Sequence, residues 1–122
     1  MAPIGIISGT VLHGTSVFKE LRKEHVVNEF GRVTIRVSRE IAHISRHDLD
    51  PGEYVLPHLI NHQANLTALK ALGIRDVVAV NSTGSLKRGL PPGSIVVPDD
   101  FILLADTPTV FRTIVLPLVR PA

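Results

Sequence analysis

The sequence predicts an α/β fold built on a mixed, largely parallel sheet with flanking helices, and three stretches carry that expectation. Residues 57–72 place Leu59, Ile60, Ala64, Leu66, Ala68, Leu69, Ala71 and Leu72 at spacings of three and four, which gives a helix one broad apolar face. Val77-Val78-Ala79-Val80 follows, branched and without alternation, as in a parallel strand covered on both faces. Ile4-Gly5-Ile6-Ile7 is a second compact apolar run of the same kind. Pro57 suits the first turn of the helix, and Gly73 stands where a left-handed residue closes one, with Ile74 behind it to cover the last turn.

In chain order, Ile4 to Ile7 runs into Ser8-Gly9-Thr10, a small-residue turn whose backbone N–H groups can face an anion. Only Gly9 and Gly14 follow this strand and Val11 stands between them, so the dinucleotide fingerprint G-x-G-x-x-G is absent. Residues 16–23 show helical spacing of Val17, Phe18 and Leu21. Residues 25–30, 33–37 and 41–45 then read as successive strands, with Val33, Ile35 and Val37 alternating against Thr34 and Arg36 over one wet face. The last of these ends in Arg46-His47. An Arg there can make a forked, charge-assisted contact to phosphate, or it can pair with Asp48 or Asp50 in the loop that follows.

After the helix, the strand 77–80 stops at the polar turn Asn81-Ser82-Thr83-Gly84-Ser85. Ligands of open α/β sheets bind at the carboxyl ends of strands, so this turn is a candidate site. A breaker-rich segment, 87–93, precedes a short apolar strand at 95–97 and the pair Asp99-Asp100. Adjacent side chains in extended chain point to opposite faces, which argues against a metal held by those two carboxylates. Residues 114–119 are apolar for a terminal stretch, which predicts that they pack under something.

A length of 122 residues predicts one domain, spanning 1–122. The formal charge of +2 and the scattering of 13 Lys and Arg argue against nucleic acid and anionic membranes as partners. The chain has no cysteine, so a disulfide framework and a thiolate metal site are excluded. No apolar run approaches the ~20 residues of a membrane span, and the start lacks a signal-peptide pattern, so a cytoplasmic location is expected.

Five segments also occur in a familiar order: Ile4 to Thr10, Arg46-His47, Pro57 to Asn65, Asn81 to Leu86, and Pro92 to Ile102. They resemble the 5′-methylthioadenosine phosphorylase and purine nucleoside phosphorylase family, with its I-G-I-I-G-G-T-G opening, R-H-G, P-x-x-x-N-Y-x-A-N, G-S-L turn and P-G-D-I-V segments. The resemblance covers about the first half of that family's usual domain, so a single incomplete domain is expected. It implies that Gly9, Thr10, Arg46, His47, Asn81 and Ser82 hold inorganic phosphate and that Thr83 and Gly84 meet substrate. The implied reaction is phosphorolysis of a purine nucleoside or 5′-methylthioadenosine, with phosphate as co-substrate and no metal or other cofactor.

The departures from the family pattern are Ser8 and Val11 at flanking glycines, Asp48 after Arg46-His47, Glu53 where a substrate-side histidine often sits, and His62 at the tyrosine. The family's acidic residues for the purine lie in its second half. The alternative function is a non-catalytic phosphate-binding or subunit-contact module. Finally, the unalternating strands need cover on both faces, whereas only two helices are legible, near Val17 and over 57–72. That shortage, and the family's habit of forming trimers or hexamers, predict a homo-oligomer or association with a separate second-half chain.

Overall fold

A computed structural model describes residues 3–12, 15–49, 53–102 and 104. The chain divides into two compact units, residues 1–82 and 83–122.

The first unit is organised by a sheet of five strands: β1 (Ile4–Ser8), β2 (Arg22–Asn28), β3 (Gly31–Val37), β4 (Ile41–Ser45) and, beyond a two-stranded ribbon and one helix, β7 (Val77–Val80). Their spatial order is β2-β3-β4-β1-β7. β2, β3 and β4 form antiparallel hairpins, whereas β4, β1 and β7 run parallel, so the sheet is mixed. The ribbon pairs β5 (Asp48–Leu49) with β6 (Glu53–Tyr54) inside the stretch expected to be loop.

The helix α1 spans His62–Ala71, starting later than Pro57 because 57–59 form a separate 3₁₀ turn and Ile60 is extended. Asn61 caps it, its side-chain oxygen accepting from the Ala64 N–H at 3.0 Å. At the other end Ile74 N–H reaches Leu69 O (3.1 Å) and Gly73 N–H reaches Lys70 O (3.0 Å), a Schellman closure with Gly73 at φ 74°. Ala64, Ala68 and Leu69 face the sheet and form one core with Val33, Ile35, Ala42, Ile44 and Ile74. Asn28 and Asn61 tie the helix to the β2–β3 hairpin, Asn28 Nδ2–H donating to Ala64 O (2.9 Å) and Asn61 Nδ2–H to Phe30 O (2.7 Å).

Two expected elements do not form. Residues 16–21 are successive turns with i to i+3 bonds, because so short a segment gains little as a helix while 22–28 gain a full ladder along β3. Residues 95–97 pair with no strand among the described residues, and Ile95 is 94% exposed, so the apolar run lacks the ladder that makes a strand. In the second unit, 91–94 form a turn closed by Ser94 N–H to Pro91 O at 3.1 Å. The apolar stretch 114–119 lies outside the described residues. No helix among them is long and apolar enough to cross a membrane.

Candidate functional site

The parallel register sets the site. Ser8 stands opposite Ser45 on one side and Val80 on the other, so β1, β4 and β7 end at one level and the residues after them become neighbours. Two backbone bonds lock that level: Arg46 N–H donates to Ser8 O (3.0 Å) and Gly9 N–H to Val80 O (3.1 Å). The Gly9 N–H is therefore committed to the strand ends.

What Gly9 contributes to the site is its bare Cα, because a Cβ there would lie 2.9 Å from Arg46 Cζ. The Arg46 guanidinium crosses over Gly9, donates through Nη1 to Asn81 Oδ1, and donates through Nε to His47 Nε2 at 3.4 Å. Thr10 Oγ1 lies 3.4 Å from Ser82 Oγ. Thus Gly9, Thr10, Arg46, His47, Asn81 and Ser82 come together at the strand ends, with the Gly9 N–H, expected to face an anion, bonded to Val80 O instead.

His47, just past the half-buried end of β4, is itself buried, and the ribbon explains this. Its Nδ1–H donates to Val55 O at 2.8 Å, and its ring stacks on Tyr54 at 4.9 Å and 5°. A carbonyl accepts only, so the proton is on Nδ1 and Nε2 is left to accept from Arg46. Thr83 and Gly84 open the second unit and are exposed, as are Asp99 and Asp100; Asp100 Oδ1 accepts from the Phe101 N–H. No group of three or more His, Cys, Asp or Glu that could hold a metal occurs among the described residues.

Sequence reasoning missed a second layer behind the strand ends. Ser8 Oγ and His43 Nε2 are 2.8 Å apart, both buried, and Phe18 stacks on the imidazole at 4.1 Å. Burial, then the nearby Arg36 charge, push the His43 pKa down to about 4 against a smaller opposing effect of Asp48. The available signal was a histidine inside the run Ile41-Ala42-His43-Ile44.

The mixed sheet thus presents a cationic and hydroxylic cluster at its parallel strand ends, and comparison with known proteins shows the family in which this α/β arrangement belongs. Residues 3–119 match the model of the phosphorylase superfamily, and the chain belongs to that family. It is 41% identical over 106 residues to a probable S-methyl-5′-thioinosine phosphorylase of Methanothermobacter thermautotrophicus, covering 81% of this chain and 37% of that protein. It is 37% identical over 107 residues to the S-methyl-5′-thioadenosine phosphorylase of Saccharolobus solfataricus, covering 83% and 39%. Among solved structures, a variant adenosine/methylthioadenosine phosphorylase from Schistosoma mansoni in complex with methylthioadenosine superposes with a TM-score of 0.62 at 30% identity, over 76% of this chain and 34% of that one. The chain therefore spans about two fifths of the length of these curated relatives.

Proposed function

We propose that this chain is the phosphate-binding part of a purine nucleoside or 5′-methylthioadenosine phosphorylase. The observation that carries the reading is the convergence of Arg46, Thr10, Asn81 and Ser82 on the ends of three parallel strands. A guanidinium with hydroxyl and amide donors around it matches the oxygens of inorganic phosphate. The names of the relatives, for methylthio-inosine and methylthio-adenosine, support a purine thionucleoside as co-substrate.

In this reaction a phosphate oxygen attacks C1′ of the ribose, the bond to the purine nitrogen breaks, and the purine departs with that bonding pair and takes up a proton. Positive charge builds on the sugar as the bond breaks. Holding the phosphate at a fixed place beside C1′ lowers the entropic part of the barrier, and its negative charge stabilises the developing cation. Thr83 and Gly84 are assigned to the nucleoside, and phosphate serves as co-substrate without a metal or other cofactor. The chain is one incomplete phosphorylase domain, cytoplasmic, and acts within a homo-oligomer or with a separate chain that completes it.

Calorimetric titration of inorganic phosphate into the chain and into Arg46→Ala tests the assignment. A charge-assisted contact is worth about 1.5–3 kcal/mol, so the variant should bind roughly ten- to a hundredfold more weakly. Equal affinity in both would remove Arg46 from the site.

A further inference from the structure

Beneath the cluster of strand-end residues lies a polar bond that none of their contacts uses. Ser8 is fully buried and His43 is 5% exposed, and their side chains meet at 2.8 Å. Ser8 stands opposite Ser45 and His43 opposite Ile6, so the bond runs diagonally from β1 to β4 on the sheet face away from Ala42, Ile44 and α1. Phe18 stacks over the imidazole, and His43 Nδ1 has no hydrogen-bond partner among the described residues. Among the described residues the Ser8 hydroxyl is therefore the ring's hydrogen-bond partner, setting its orientation under Phe18, and the ring in turn holds Ser8. Burying a hydroxyl and an imidazole is costly unless they are paired, so this link has a defined partner and a defined geometry.

Its place in the chain gives it a task. The Ser8 carbonyl accepts from Arg46 N–H, the next residue donates from Gly9 N–H to Val80 O, and the one after carries the hydroxyl beside Ser82. Backbone 8–10 is thus the junction through which β1 meets both neighbouring strands and presents the site. We propose that Ser8 and His43 are a positioning pair for anion binding. Their buried bond holds the end of β1 where Gly9 can lie against the Arg46 guanidinium and Thr10 can face Ser82. Neither residue touches the anion; both act through Gly9, Thr10 and Arg46. The inference rests on the reading of this cluster as a phosphate site.

The test is calorimetric titration of inorganic phosphate into the full chain, Ser8→Ala, His43→Leu, the double variant and His43→Gln, with the unfolding midpoint of each recorded. Losing one well-placed hydrogen bond predicts about three- to tenfold weaker phosphate binding in each single variant. Because the two side chains act as one link, the double variant should be no worse than the poorer single. His43→Gln, whose amide can still donate to Ser8 Oγ, should recover most of the affinity. Ser8→Ala removes one oxygen atom, so it gives a folded comparison should His43→Leu fail to fold. Unchanged affinity in the folded single variants, or losses that simply add, would overturn the pair while leaving the phosphate site standing. Absence of phosphate binding by the unmodified chain would instead overturn the site reading, and this inference with it.

Discussion

At the scale of single residues, Arg46 depends on what its neighbours lack as much as on what they offer. Its guanidinium can cross the end of β1 only because residue 9 has no Cβ, whose nearest approach to Cζ would be 2.9 Å. Gly9→Ala should therefore push the guanidinium aside and weaken phosphate binding by about tenfold, with little change in the urea midpoint; parallel titration and unfolding would show it. Retained affinity would mean that Arg46 reaches the anion by another path. His43 offers a pH-dependent check on the layer beneath. Its pKa falls from 6.5 to about 4 on folding, so the folded chain resists a proton that the unfolded chain accepts. That stability is fully present above about pH 6.5 and is lost as pH falls toward 4, by on the order of 3 kcal/mol. Urea unfolding from about pH 7 to about pH 4 should show a fall that His43→Leu lacks, and equal slopes would refute the assignment. Arg46 and Asn81 were legible as strand-end residues because they close the runs 41–45 and 77–80, whereas their grouping with Thr10, His47 and Ser82 came from the family resemblance. Ser8 and His43 were not, because the meaning of either residue depends on a partner 35 positions away.

At the scale of elements, α1 is held to the sheet by amide side chains as well as by its apolar face. Asn61 accepts from Ala64 N–H and donates to Phe30 O, so it caps the helix and anchors the β2–β3 turn at once. Asn61→Ala should cost about 2 kcal/mol, since it removes a cap and leaves a carbonyl without its donor. Equilibrium urea unfolding measures this, and a loss below about 0.5 kcal/mol would show that water replaces both bonds. The C-terminal end of the helix was readable because Gly73 takes the left-handed conformation cheaply, β3 was readable from the alternation of Val33, Ile35 and Val37, and β4 from its flanking breaks. The N-terminal end was misplaced because Pro57 opens a 3₁₀ turn as readily as a helix. The run Val17, Phe18, Leu21 has helical spacing over too few residues, and Phe18 is used to cover His43 from a turn. Local spacing could not reveal that choice, which the β2–β3 ladder decides.

At the scale of the whole molecule, two features of the chain bear on what it does alone. It spans about two fifths of the length of its curated relatives, and the resemblance assigns the acidic residues that hold the purine to the part of the family domain beyond this length. The chain by itself should therefore bind phosphate and yet release no appreciable purine from 5′-methylthioadenosine or inosine, for want of general acid help commonly worth ~10²–10⁴-fold. Turnover in a purine-release assay would show that a carboxylate such as Asp99 or Asp100 has taken that role. The second feature is β7, the last strand of the sheet, which pairs with β1 and with no other strand among the described residues. It is apolar throughout, yet Val77 is 42% and Val78 53% exposed. An uncharged edge with half-exposed valines, unpaired on its outer side among the described residues, is a template for a further strand and a liability when left alone. Association through this edge should appear as a species heavier than the monomer in sedimentation at micromolar concentration. Val78→Lys, which places a charge on the edge without touching the core, should shift the population toward monomer and leave phosphate affinity within about twofold, since it lies two residues before the strand end. A cooperatively unfolding monomer in the unmodified chain would refute this, and would mean that water is cover enough for β7.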